Sequence, residues 1–232
     1  MATPFKKEGR FVDGETVLRC HVRDAGMLLL EQATDSHNLG LSVWDASLVL
    51  TKFMDLHPAQ YGRAKVSGKR VLELGAGCGL AGIYLATLGA SVILTDLAPI
   101  LGLLQKNVNT NMGGLDANLR GDTLVTEFDW CHRPIPEGLV PGSFDMIIAA
   151  DCVYSSALVE PFARSIEELA GPNTTILVAT ERRDLDTHAL FRESLLEGFQ
   201  IKKVPAKKLD PEYSFENSEI LIMKKKRQRK TR

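Results

Sequence analysis

Two short stretches combine residue types at spacings that suit chemistry. Residues 71–82 read "VLELGAGCGLAG", with Gly75, Gly77 and Gly79 at alternate positions after an apolar run that holds Glu73. Glycines there let a backbone approach a ligand closely, and the amides that open a following helix suit an anionic group. Asp96 ends the next apolar run, "SVILTD", twenty-one residues after Gly75. A carboxylate at that distance can accept both hydroxyls of a ribose, although it can also simply cap a helix. The second stretch, "MIIAADCVYSS" at 146–156, sets Asp151 and Tyr154 where a buried run stops. A polar reaction site and an ordinary turn compete for that position, since Asp and Ser favour strand exits. Trp130, at the end of "TLVTEFDW", can stack on a purine, whereas Trp44 alone reads more simply as core.

Other chemistries fit less well. A dinucleotide fingerprint begun at Gly75 needs glycine at position 80, which is Leu80; begun at Gly77 it comes two residues late. "GRAKVSGKR" has five residues between its glycines, and Arg70 where Ser or Thr should hold magnesium. His21, His37, His57, His132 and His188 show no ligand spacing, so no metal site is expected. There is no GxSxG. "ERRD" at 181–184 follows a strand on the same edge and reads equally well as a contact for an acidic substrate or as a salt-bridged loop.

The elements that must position these residues alternate in period. "TVLRCHV" and "GMLLLEQ" read as a hairpin turning at 24–26. "SVWDASLVLTKFMDL" reads as a helix capped by Ser42, with Trp44, Leu48, Phe53 and Leu56 near one face. "RVLEL", "SVILTD", "TLVTEFDW", "FDMIIAAD" and "TTILVAT" read as strands, most of them followed by a helical run. The helix "APILGLLQKNVNTN" has Pro99 in its first turn. "FQIKKV" and "SEILIMKKK" close the chain as strands with no helix between them, so an antiparallel pair is expected. Such alternation implies a mainly parallel sheet covered on both faces, with ligands at the carboxyl ends of its strands where the order reverses.

Composition narrows the classes. The chain has 232 residues, 44% hydrophobic and 25% charged, which is ordinary globular composition. The charge-free stretch from Leu74 to Thr95 is long enough to span a membrane, but its five glycines make it a loop and a short helix instead. Cys20, Cys78, Cys131 and Cys152 are scattered, as expected of reduced thiols in the cytosol or nucleus. The opening "MATPFKKEGR" lacks the apolar core of a signal peptide. The last nine residues, "KKKRQRKTR", hold seven of the 28 basic residues; the other 21 face 29 acidic ones, a net −8 over residues 1–223. An acidic body argues against a nucleic-acid surface.

"VLELGAGCGL" followed by "ILTDL" resembles the cofactor half of the seven-strand S-adenosylmethionine-dependent methyltransferases. "VWDASLVL", "NVNTN", "FDW" and "ADCVY" together are similar to the family-16 protein lysine methyltransferases, from about residue 11 to 226. The resemblance is loose in 57–69, 112–122 and 131–142, and Cys78 departs from it where relatives often carry Ser or Thr. It implies an α/β, class I (Rossmann-like) fold: a doubly wound, mainly parallel seven-strand sheet with an antiparallel last strand and a small N-terminal β-hairpin extension. Residues 1–226 would be a single methyltransferase domain, with 1–60 the hairpin and helix extension and 227–232 a basic tail. The cofactor implied is S-adenosyl-L-methionine, bound by Trp44, Gly75, Ala76, Gly77, Asp96, Trp130 and Ala150. Asp151 and Tyr154 would be catalytic, acting on a lysine ε-amine of a protein partner, an AAA-type ATPase or another chaperone. A monomer acting without a membrane or nucleic acid is expected. Two other functions stay open. A nucleic-acid amino-methyltransferase uses Asp or Asn, two prolines and an aromatic at this strand end; "DCVY" keeps the ends and lacks the prolines. A non-catalytic cofactor-binding module could drop any of "GAGCG", Asp96, Asp151 and Tyr154, yet all are present.

Overall fold

The computed structural model of the chain describes residues 17–33, 38–214 and 217–226. His37, the basic tail at 227–232 and the first stretch of the family resemblance lie outside the described residues. Strands β1 (Val17–Val22) and β2 (Gly26–Glu31) pair antiparallel through Gly26, whose φ of +76° suits the tight turn. Helix α1 (Asp45–Leu56) and two single-turn helices, α2 (Pro58–Tyr61) and α3 (Arg63–Val66), lead to β3 (Arg70–Leu74). Next come α4 (Leu80–Thr87), β4 (Ser91–Asp96), α5 (Ala98–Met112), β5 (Thr123–Glu127) and β6 (Met146–Ala150). Helix α6 (Ser156–Leu169), β7 (Thr175–Glu181), α7 (Leu185–Leu196), β8 (Phe199–Lys203) and β9 (Ser218–Lys225) complete the order.

The main sheet runs β5-β4-β3-β6-β7-β9-β8. Strands β3 to β7 are parallel to one another, and β9 lies antiparallel to both β7 and β8. This is the expected doubly wound sheet, including the final antiparallel pair. Period-two alternation sorts its side chains. Val71, Ile148, Leu177, Ala179 and Ile220 face one core with α1, α4, α5 and the hairpin. Leu72, Leu74, Ile147, Ala149, Ile176, Val178 and Leu221 face the other, with Phe162 of α6 and Phe191 of α7. The strand order reverses between β3 and β6, so a crevice opens beyond their carboxyl ends.

Two local expectations need correction. Ser42 does not cap α1: Trp44 is the N-cap residue, and no side chain among the described residues caps that end. The expected face is also incomplete. Leu48 and Phe53 are buried, but so are Ala46, Val49, Leu50 and Met54, while Trp44 and Leu56 are only half-buried. The helix lies between the sheet, α4 and the rest of the N-terminal segment, so a one-sided pattern understates its burial.

Candidate active site

Five strand ends supply the crevice. Leaving β3, the chain turns sharply three times, with φ of +62° at Gly75, +56° at Gly77 and +87° at Gly79. A Cβ at Gly75 would stand 2.7 Å from Cys152 Sγ and 3.0 Å from the Trp130 ring, and one at Gly77 would stand 3.0 Å from the Gly40 carbonyl. Glycine is needed at both for the conformation and for the close approach. Asp96 ends β4 with both oxygens directed at backbone: Oδ2 accepts from Gly77 N–H at 2.7 Å, Oδ1 from Leu97 N–H at 2.7 Å. Burial lifts its carboxyl above the ordinary carboxylate range, and those two amides pull it back in part. Each oxygen keeps a second lone pair for an incoming hydroxyl.

After β5, Phe128 is buried and its N–H binds the Asp96 carbonyl at 2.9 Å, which carries the chain across to Trp130. The Trp130 ring tilts against Phe162 at 4.8 Å between centroids, and its Nε1 is buried without a partner among the described residues. Asp129 is taken up locally by Cys131 N–H at 2.8 Å and His132 Nδ1 at 2.7 Å.

Beyond β6, Ala150 is half-buried and Asp151 adopts φ +59°, the one non-glycine positive φ among the described residues. Asp tolerates that region better than most side chains, which is why a turn signal and a site signal coincide here. The Asp151 side chain is only 4% exposed; Oδ2 accepts from Arg183 Nη2 at 2.7 Å, and Oδ1 is buried without a partner among the described residues. Cys152 is buried behind Gly75 and gives its thiol to the Leu74 carbonyl at 3.3 Å; burial first, then Asp96 and Asp151, push that thiol well up. Tyr154 is half-exposed. Burial of part of its ring, followed by Cys152 and Asp96, raises its hydroxyl above the ordinary phenol range, so it stays a donor.

These side chains line one cavity of about 400 Å³, within the range of small-molecule sites. All nine residues singled out in the sequence line it: Trp44, Gly75, Ala76, Gly77, Asp96, Trp130, Ala150, Asp151 and Tyr154. Trp44, left between core and cofactor contact, closes one wall, with its Nε1 donating to the Leu39 carbonyl at 2.9 Å. The donor set suits a nucleoside-type methyl donor: a buried carboxylate for ribose hydroxyls, a glycine floor with no room for a Cβ, and an indole wall with a free N–H. "ERRD" is a salt-bridged loop, and Asp151 is part of it, which its own sequence surroundings do not signal. Gly40, Leu97, Phe128, Cys131 and Leu158 also line the cavity and were missed; "ILTDL" and "FDW" held hints, through Leu97 and Phe128. Cys78 sits below, its thiol pushed up to about 12 by burial and 3.8 Å from the Gly40 carbonyl. Among the described residues no cluster of His, Cys, Asp or Glu could hold a metal, and no helix is long and apolar enough to cross a membrane.

Comparison with known proteins places the geometry. Residues 22–196 match the family profile described as lysine methyltransferase. The Danio rerio protein N-lysine methyltransferase METTL21A is 34% identical over 73% of this chain and 74% of its own length. The Xenopus tropicalis EEF1A lysine methyltransferase 3 is 30% identical over 74% and 72%. Among solved structures, magnesium protoporphyrin IX methyltransferase of Synechocystis PCC 6803 with bound SAM shares the fold (TM-score 0.57, 17% identity, 78% of this chain and 80% of that one). A predicted O-methyltransferase of Agrobacterium tumefaciens does so too (TM-score 0.57, 17% identity, 80% and 82%).

Proposed function

The chain belongs to the lysine methyltransferase family, and from that premise we propose which residues serve the acceptor and which protein presents it. It is an S-adenosylmethionine-dependent protein-lysine N-methyltransferase. When bound, the cofactor supplies an electrophilic sulfonium methyl. In our reading Asp96 takes the ribose hydroxyls, Gly75, Ala76 and Gly77 carry the methionine end, and Trp130 and Ala150 flank the adenine. Trp44 closes the cavity from the N-terminal side. Asp151 and Tyr154 receive the acceptor. The observation that carries this reading is the convergence of Gly75, Asp96, Trp130, Asp151 and Tyr154, from four strand ends, on one cavity.

A lysine nitrogen must be neutral to attack, which costs roughly 4 kcal/mol at physiological pH from an ordinary pKa near 10.4. The chain lowers that cost by desolvation, since Cys152 and Val153 are buried beside the site and exclude water. Asp151 accepts a hydrogen bond from the amine N–H, which fixes the direction of the lone pair and offsets charge as the nitrogen becomes cationic. Tyr154 walls the channel with its ring and offers its hydroxyl to the same nitrogen. Positioning of this kind is most of what methyl transfer asks of a protein.

For the substrate we propose valosin-containing protein, an AAA-type ATPase. The reading is supported by "ADCVYSSALVEP" and "EYSFENSEILIMKKK", which are similar to the lysine methyltransferase acting on that partner. The scattered cysteines support a reducing setting, cytosol or nucleus. The test is to incubate the full chain and tritiated S-adenosylmethionine with purified valosin-containing protein and, separately, with purified EEF1A. The labelled residue is then mapped by mass spectrometry. We expect label on a lysine of valosin-containing protein; label on EEF1A alone would overturn the substrate. Asp151→Asn should slow single turnover about 10²-fold or more while cofactor affinity holds. A rate within about threefold of wild type would overturn the acceptor role.

A further inference from the structure

Arg183 touches three parts of the site at once. A single guanidinium nitrogen, Nη2, donates to Asp151 Oδ2 at 2.7 Å and to Glu181 Oε2 at 2.7 Å. The guanidinium carbon stands 4.9 Å from the centroid of the Trp44 ring. These partners come from separate places: the turn after β6, the end of β7 and the N-cap of α1. Asp151 itself is held in the left-handed region, and its Oδ1 is buried with no partner among the described residues. A non-glycine residue keeps such a conformation when its surroundings over-determine it, and this happens most at functional sites.

We infer that Arg183 is a positioning residue for the methyl transfer: it grips one oxygen of Asp151 and one face of Trp44, leaving Oδ1 for the acceptor nitrogen. The inference rests on the reading that Asp151 serves the acceptor amine. A carboxylate held at one oxygen cannot swing, so the direction of its other oxygen is set before the substrate arrives. The guanidinium does not deprotonate in any working range, so the clamp does not titrate away. Its charge is shared between Asp151 and Glu181, so the cluster keeps one net negative charge and draws an arriving ammonium less strongly than two free carboxylates would. The same guanidinium ties the N-terminal segment to β7 through Trp44, so the cavity wall and the acceptor carboxylate are placed by one side chain.

The experiment uses the full chain, its lysine substrate and four variants: Arg183→Met, Arg183→Lys, Asp151→Asn and the double variant Arg183→Met/Asp151→Asn. Single-turnover rate, KM, cofactor affinity and melting temperature are measured for each. Arg183→Met should lose about tenfold or more in rate, with cofactor affinity changed less than about threefold. Arg183→Lys should recover much of that loss, because one ammonium nitrogen can reach both carboxylates as Nη2 does. In the Asp151→Asn background, Arg183→Met should cost less than about threefold more, the sign of action through Asp151. Four results would overturn the inference. A full rate with lowered KM in Arg183→Met would make the guanidinium a mere occupant of the acceptor's seat. Losses that add in full in the double variant would make Arg183 independent of Asp151. Asp151→Asn within about threefold of wild type would remove the acceptor assignment and the inference with it. A slow Asp151→Asn beside a fast Arg183→Met would remove the inference alone.

Discussion

Glu73 sits inside β3 with 2% of its surface exposed, and its Oε2 accepts from Gly82 N–H at 3.0 Å. Burial pushes its carboxyl from the ordinary 4.5 up to about 8; the Gly82 amide opposes the shift and nearby Asp96 adds to it. The folded chain therefore holds a proton that the unfolded chain releases. The stability from this group is full below about pH 4.5, falls as pH rises, and is lost above about 8. Between those limits the slope is ~1.4 kcal/mol per pH unit, or roughly 2–4 °C in melting temperature per kcal/mol for a chain of this size. Glu73→Gln keeps an acceptor for Gly82 and removes the titration. Its melting curve should gain steadily on wild type from pH 6 to 8, and parallel profiles would contradict the placement. Asp96 poses a different test at the same scale. Asp96→Ala removes the acceptor proposed for the ribose hydroxyls and frees Gly77 N–H, so cofactor affinity should fall by the ~1.5–3 kcal/mol typical of a hydrogen bond to a charge. Calorimetry on the folded variant reads this directly, and unchanged affinity would move the ribose elsewhere.

At the scale of elements, the loop from β3 to α4 uses its glycines for two purposes. Gly75 faces the cavity, whereas a Cβ on Gly79 would stand 2.5 Å from Leu104 Cδ1 in the packing of α4 on α5. Each alanine substitution carries the left-handed cost of ~1–2 kcal/mol, and Gly79→Ala adds the ~1–3 kcal/mol of an overfilled core. Gly79→Ala should mainly lower the melting temperature. Gly75→Ala should mainly weaken cofactor binding, because Cys152 and Trp130 must give way. Gly102, exposed within α5, has nothing within 4 Å of a Cβ, so Gly102→Ala should gain ~0.5–1 kcal/mol. Denaturation and cofactor titration of the three variants would expose any other pattern. The strands, helices and glycine loop were legible because period and breakers are local properties of the chain. The α1 cap was not, because Ser42 is one favourable residue type in a segment whose path is set by tertiary contacts. Asp151 stood out by its position at a strand end. Its bond to Arg183 joins residues 32 apart, and no local pattern encodes it.

Across the whole molecule, the "NVNTN" run ties the N-terminal hairpin to the glycine loop of the site. Asn107 and Asn111 lie one turn apart on α5 and meet alternate residues of β2. Asn111 Oδ1 accepts from Leu29 N–H at 2.8 Å and its Nδ2 donates to the Leu29 carbonyl at 2.8 Å. Asn107 does the same for Glu31, at 2.8 and 3.0 Å, and also donates to the Cys78 carbonyl at 3.0 Å. Two amide side chains thus complete the edge of β2 as a neighbouring strand would, and a third contact fixes the glycine loop. Past β2 the chain returns through Val43 N–H to Gln32 Oε1 at 2.8 Å, and then reaches Trp44. Asn107 is fully buried, whereas Asn111 is half-buried, so their substitutions should differ. Asn107→Asp keeps an acceptor for Glu31 N–H but loses both donations, leaving two carbonyls unpaired beside a buried charge. The expected cost is at least about 2–3 kcal/mol, against about 1 kcal/mol for Asn111→Asp. Because the hairpin edge and the Cys78 carbonyl share one anchor, Asn107→Asp should also weaken cofactor binding, although Asn107 does not line the cavity. Hydrogen exchange should rise across residues 26–31 in the same variant. An unprotected hairpin with unchanged cofactor affinity would show that the hairpin and the glycine loop are held independently, and that Asn107 joins nothing beyond its own neighbours.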